Sequence, residues 1–266
     1  MGELRAYAAL AGAQFRSVLS YRTSFLVELL TNIGATALDV LTVLVIFQNT
    51  RQVGGFSLRP AILMVSLSST SFVLADFAAG TIERLKTYVR TGTMDAVLVR
   101  PLGAMGQLLL MDLPIRKVLR VAVAVTTLGV ALTVNQITWT LPRVLLVVAA
   151  PIFGAVVFGS IFVVSASLAF WWVESGEVGN AFTYGGRDFT AYPVTVYDGW
   201  FRAVFAYGLG FGFVAYQPAL ALLGRTDPLG LPSWAGYASP LVALVAATVA
   251  AVMWRAGIRH YRSTGS

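Results

Sequence analysis

The chain has 266 residues, of which 57% are hydrophobic and only 12% charged, with a formal net charge of +7. A soluble domain is nearer a quarter charged, so the composition excludes an ordinary soluble domain and points to helices in lipid, where each backbone polar group is satisfied inside its own segment. There are no cysteines and one histidine, His260, which excludes disulfides, thiolate metal sites and imidazole chemistry inside a membrane.

The predicted elements follow in chain order. Leu4, Tyr7, Ala11, Phe15 and Val18 recur at helical spacing, with Arg5, Gly12, Arg16 and Ser20 on another face. That pattern predicts an amphipathic helix lying in the membrane interface. No signal peptide is expected, because Met1 to Arg22 carries three arginines and no cleavable small-residue site after a short apolar core. Six apolar stretches then predict six transmembrane helices, at about 24–47, 60–80, 118–134, 144–172, 200–220 and 237–254. The expected fold is one all-α membrane domain spanning residues 1–266.

Orientation follows from the basic residues, seventeen Arg plus Lys86 and Lys117. With a cytosolic N-terminus, fifteen of them fall in inner segments and only Arg51, Arg59, Arg143 and Arg225 in outer ones. The positive-inside rule therefore places both termini in the cytosol. It also explains the basic excess without nucleic acid.

Three connections carry more than a turn. Glu83 to Lys117 is about 35 residues long and reads as helix, break, short helix, break, helix. Gly92 suits a helix C-terminal cap, Thr93 suits the cap of a new short helix, and Asp95 suits its positive first turn. Arg100-Pro101 ends that helix. Gly103 to Leu113 reads as a second, surface-lying helix. Glu174 to Asp198 reads as a cytosolic stretch rich in aromatic residues. Gln217 to Pro240 holds four prolines and a short apolar piece, Ala219 to Leu223, that suits an outer re-entrant segment. The cations of the first connection have a plainer reading as anchors for anionic lipid, which suits Arg116, Lys117 and Arg120 best.

Catalytic motifs are missing from the sequence. It holds no GxxxxGK[ST] phosphate loop, so no Walker-type ATP site is expected in this chain. It also holds no His-Glu-x-x-His and no Gly-x-Ser-x-Gly. Three carboxylates, Glu28, Asp39 and Asp76, fall inside spans, where a charge facing lipid at the centre costs about 2.5 kcal/mol or more. They read either as a polar path or as locally paired groups, with Arg22 near Glu28 and Arg84 or Arg5 near Asp76. For Asp39 an internal partner or a subunit interface is favoured.

Four pieces together carry a resemblance. Gly92-Thr-Met-Asp-Ala-Val-Leu-Val-Arg-Pro-Leu102 resembles the G-x-hydrophobic-D-x-x-L-x-R-P element of type-2 ABC export permeases, and of a bacterial ABC-2 subgroup in particular. Ala191 to Tyr197 resembles that subgroup's Tyr-Pro element before span five. Phe213 to Ala219 resembles its Y-x-P exit from span five, with Gln217 as a departure. Gly257 to Gly265 resembles its G-x-x-x-Y-x-S-x-G ending. The similarity covers essentially the whole chain.

The resemblance implies a permease subunit of an ATP-driven exporter in the bacterial plasma membrane. Two permeases, identical or sibling, would pair, and two separate ABC ATPase subunits holding ATP and Mg would bind below. Carried over by position, the ATPase-coupling residues are Arg84, Lys86, Arg90, Gly92, Asp95, Arg100 and Pro101. The amphipathic Leu4 to Leu19 helix would be the connecting helix, and Pro218 to Pro232 the re-entrant cap. Pathway or interface candidates are Asp39, Asp76, Gly208, Gly210, Gly212, Tyr216 and Pro218. A hydrophobic or amphiphilic substrate would move along the permease interface, among membrane lipids. The alternatives are a stand-alone secondary transporter or channel, which calls for more intramembrane polar residues, and an assembly protein without a transport role.

Overall fold

The computed structural model describes residues 22–101, 103–110, 117–172 and 175–261. The expected interfacial helix at Leu4 to Leu19, Arg5, Arg116 and the residues after Tyr261 lie outside them. The described chain is all-α. Its long helices are α1 (Arg22–Asn49), α2 (Leu58–Ala79), α6 (Lys117–Val134), α7 (Leu141–Ser167) and α11 (Ser239–His260). Four short ones join α2 to α6 or follow α2 directly: a 3-10 turn at Gly80–Arg84, then α3 (Leu85–Arg90), α4 (Thr93–Leu98) and α5 (Ala104–Leu110). The remainder is α8 (Gly176–Ala191), α9 (Gly199–Arg202, continued by a π-helical turn at Ala203–Gly208) and α10 (Tyr216–Leu223).

Among the described residues, four helical stretches have the length and apolar character to cross a membrane, and one bent pair makes a fifth if taken as a single span. The four coincide with the expected spans at 60–80, 118–134, 144–172 and 237–254. Pro142 falls in the first turn of α7, where no N–H is needed, so α7 begins earlier than the apolar run alone suggests. α11 continues past Trp254 through Arg255 to His260.

α2 is the central helix. It packs against α7 and α6 most extensively, then against α8, α1 and α10. Its buried side chains include Leu63, Met64, Leu67 and Phe72, but also Ser66, Ser68, Thr70 and Ser71. Small polar groups suit a helix crowded on several sides because they take up little space, and the hydroxyls of Ser68, Thr70 and Ser71 bond nearby. Thr70 Oγ1 donates to Ser66 O at 2.7 Å and to Ala124 O of α6 at 3.2 Å. Ser68 Oγ and Thr190 Oγ1 of α8 meet at 2.5 Å. At the α2–α7 crossing, a Cβ on Gly154 would stand 2.4 Å from Ser71 Oγ, so only glycine permits that approach.

α8 runs antiparallel to α2. Its first residue, Gly176, lies against Lys86, and Gly179 lies against Ser165 near the end of α7. Further on, Arg187 sits over the Phe72 ring at 5.5 Å and Thr190 meets Ser68. Just past α8, Thr195 Oγ1 donates to Gly54 O at 2.6 Å, in the connection between α1 and α2. Residues 176–196 therefore travel from the short-helix end of the bundle to the end that holds residues 50–57. This corrects the reading of Glu174 to Asp198 as a stretch confined to one side. Its face of Gly179, Thr183, Gly186 and Phe189 is buried against protein, so it needs no lipid-like hydropathy.

The span expected at about 200–220 is sharply bent. Gly199–Gly208 and Phe211–Leu223 meet at 61°. The break falls at Gly210, which has φ +78 and no room for a Cβ beside Val242. Both flanks of the pair touch the same connection: Thr195 bonds Gly54, and Tyr216 packs edge-on against Phe56 at 5.8 Å. The aromatic residues the sequence scatters over 182–211 converge here. Phe189 stacks on Tyr197 at 4.2 Å and Phe201 on Phe205 at 4.4 Å, while Phe211 packs beside Phe158.

Candidate functional site

The short helices form a knot at one end of the bundle. Ile82, Leu85, Val89, Met94, Val97 and Leu108 are buried in it, which ties three helices too short to be stable alone. Gln107 Nε2 donates to Val97 O at 3.0 Å and links α5 to α4. Gly92 has φ +70 and turns the chain between α3 and α4, as expected of a helix-ending glycine. Thr93 is not the cap of α4 but its first residue. Its hydroxyl lies 2.6 Å from Thr91 Oγ1.

The coupling candidates divide by exposure. Arg84, Lys86, Arg90, Arg100 and Pro101 are exposed. Leu98 and Val99, 38% and 86% exposed, stand beside Arg100. The α4 tip is thus an apolar edge with a cation next to it. Asp95 is partly buried and accepts a hydrogen bond from Tyr261 Oη at 2.9 Å. Burial and this carboxylate push the Tyr261 phenol up from 10.0 to about 12, so it is a proton donor throughout the physiological range.

Asp76, one of the pathway candidates, lies near the end of α2 in an ionic cluster. Lys117 Nζ donates to its Oδ1 at 2.5 Å and to its backbone carbonyl at 3.0 Å, and Arg120 donates to Oδ2 at 3.1 Å. Lys117 and Arg120 therefore hold a carboxylate, whereas the sequence suggested lipid anchors. Nearby, Tyr184 Oη of α8 lies 3.4 Å from Glu83 Oε2. A cleft of about 340 Å³ opens between these elements, bordered by Glu83, Lys86, Ser165, Asn180 and Tyr184. Asp39 is on α1; its side chain, like that of Glu28, lies outside the described residues.

The other pathway candidates gather at the opposite end. Tyr216 and Pro218 are buried in α10. Tyr216 Oη donates to Asp227 Oδ1 at 2.9 Å, and Gln217 Nε2 to Asp227 Oδ2 at 2.6 Å. Asp227 also accepts the Leu229 N–H at 2.9 Å, so it fastens the following loop onto α10. Gly208 is exposed, while Gly210 and Gly212 are buried at the bend. A cleft of about 500 Å³ lies beside α10, bordered by Arg143, Gln217, Arg225, Asp227, Trp234 and Tyr237.

Three side-chain groupings were not visible in the sequence: Asp95 with Tyr261, Asp76 with Lys117 and Arg120, and Tyr216 and Gln217 with Asp227. Each joins residues from different elements. Only the last had a sequence signal, an aspartate ten residues beyond a polar residue in an apolar run. Among the described residues, no group of His, Asp and Glu is arranged to hold a metal.

With this geometry in view, comparison with known proteins gives the class. Residues 33–265 match the family described as "ABC-2 family transporter protein". The chain belongs to that family and is a multi-pass membrane permease of an ABC transporter. Members of the family are generally non-catalytic membrane components that work with an ABC ATPase. No curated protein and no solved structure matches the chain significantly.

Proposed function

We propose that this chain is the permease half of an exporter in a bacterial plasma membrane, driven through the α4 tip by separate ATPase subunits that hold ATP and Mg. The observation that carries the reading is the exposed edge Leu98, Val99 and Arg100 on a helix whose other face is locked into the bundle. An apolar edge beside a cation suits burial in a partner's cleft. Arg84, Lys86 and Arg90 flank it as exposed cations.

In this reading α1, α2, α6, α7, α8 and α11 cross the bilayer, with both termini in the cytosol. The bent pair Gly199–Leu223 dips in from the outer face and returns, with its apex at Gly210. Support comes from its two flanks, both beside residues 54–56. Arg187 and Arg202 then leave the inner count, and the remaining basic residues still concentrate at the α3–α4 end. A second permease would pair along α8, whose exposed Glu177, Tyr184 and Asp188 suit a protein or water interface better than lipid. The substrate would be a hydrophobic or amphiphilic molecule moving along that interface.

The test is affinity purification of the tagged chain from its native host in mild detergent. A Walker-type ATPase should copurify with wild-type protein, and Arg100→Ala or Val99→Asp should reduce its recovery at least tenfold while the permease stays in the membrane. Recovery of no ATPase with the wild-type chain, together with transport that needs no nucleotide, would establish a stand-alone carrier.

A further inference from the structure

We infer that Tyr261 is a positioning residue that ties the α4 tip to α11, so that a displacement of Thr93–Leu98 is delivered to Ser239–His260. The inference rests on the permease reading above. It joins two segments separated by 166 positions in the chain, Asp95 and Tyr261, through the hydrogen bond at 2.9 Å.

The surroundings make that bond a strut. Tyr261 ends α11, and its own N–H bonds Gly257 O at 2.9 Å. Its ring packs edge-on against Phe170 at 6.0 Å, and Phe170 packs against Trp254 at 5.6 Å. Gly257 lies so near Phe170 that a Cβ there would stand 2.3 Å from the ring. Trp171 stacks on His260 at 5.6 Å and 22°. The phenol is thus held on one side by the Phe170 ring just past α7 and axially by the helix it terminates. On the other side, Met94 and Val97 anchor α4 in the knot. A hydrogen bond weakens steeply once stretched beyond its normal range. With the Tyr261 ring set against Phe170, movement of Asp95 is followed by α11 or else breaks the bond. Asp95, placed by sequence among residues for docking an ATPase, acts inward, while Arg100 and Val99 present the outward surface.

The native chain has no cysteine, so two spin labels can be placed at Ala96→Cys, an exposed position of α4 outside the Leu98–Arg100 edge, and at Ala256→Cys, without removing any native cysteine. Their separation would be measured by pulsed electron resonance in the complex with its ATPase, with and without trapped ATP. In the parent, one narrow distance is expected in both states. In Tyr261→Phe, the same narrow distance is expected without nucleotide, and a shift or broadening of several ångströms with ATP. Asp95→Asn keeps an acceptor oxygen and should behave as the parent, whereas Asp95→Leu should behave as Tyr261→Phe. Identical distances in parent and Tyr261→Phe would overturn the inference. So would a distance already lost without nucleotide alongside a lowered melting point, which marks a mere structural support, and so would loss of the ATPase from Tyr261→Phe, which marks a docking role. If the parent itself carries no ATPase, it is the permease reading that fails.

Discussion

At the residue scale, backbone conformation and one proton decide the behaviour of the α4 tip. Gly92 turns the chain at φ +70, a region where any residue with a Cβ is strained by about 1–2 kcal/mol. Gly92→Ala should therefore lower stability by about 1 kcal/mol, seen as a reduced melting temperature in detergent. Tyr261 is the other case. Its phenol is raised from 10.0 to about 12 by burial and by Asp95. The folded state thus favours the neutral form. That contribution is fully present below about 10 and is lost as pH rises through about 12. Stability and nucleotide-dependent movement should show no step assignable to this residue between pH 6 and pH 9. A step in that interval that disappears in Tyr261→Phe would contradict the assigned protonation.

At the element scale, helices are joined by a few polar or small contacts. Asp76 links α2 to the start of α6 through Lys117 and Arg120. Replacing it by Ala leaves two cations beside each other without the carboxylate, Lys117 keeping only the backbone carbonyl. The loss should be about 2 kcal/mol, since hydrogen bonds to charged groups contribute about 1.5–3 kcal/mol each and this site is only partly buried. Thermal unfolding of Asp76→Ala beside Asp76→Glu would check it. The seam between α8 and the bent pair depends on Gly186, where a Cβ would stand 2.3 Å from Phe211. Gly186→Leu should wedge α8 from Phe211 and sharply reduce folded protein in the membrane, whereas Gly185→Leu, at an exposed position with open space, should not. Equal yields from the two variants would refute that seam.

At the scale of the whole molecule, the decisive property is which end faces which compartment. The proposed topology puts Val196, 44% exposed, at the outer end, and Leu98 at the inner end. In this cysteine-free chain each can be replaced singly by cysteine. An impermeant maleimide added to intact cells should label Val196→Cys and leave Leu98→Cys unlabelled until the membrane is opened. Labelling of Val196→Cys only after opening would return the Tyr-Pro segment to the cytosol and dismantle the re-entrant reading of Gly199–Leu223.

Much of the scaffold was legible beforehand. Long apolar runs and their proline and glycine borders marked α2, α6, α7 and α11 to within a few residues, with α11 reaching six residues beyond its expected end. The alternation of helix and break between Glu83 and Lys117 was readable from Gly92 and Arg100-Pro101. What escaped was α8. With Gly176, Gly179, Gly185, Gly186, Glu177, Arg187 and Asp188 in sixteen residues, it lacks the hydropathy of a lipid-facing span. Its burial is against α2 and α7, which a hydropathy profile does not see. The same limit left the 61° bend at Gly210 unread within the apolar run expected as one span at 200–220.

The linear order of residues was enough to establish a membrane-embedded all-α chain, its long helices and the helix end at Arg100-Pro101, because hydropathy, caps and helix breakers act over a few neighbouring positions. Only tertiary packing decided that Asp95 meets Tyr261, that Asp76 is closed by Lys117 and Arg120, and that α8 passes through the bundle. Those outcomes depend on side chains brought within about 3 Å from distant parts of the chain, a distance that no local pattern encodes.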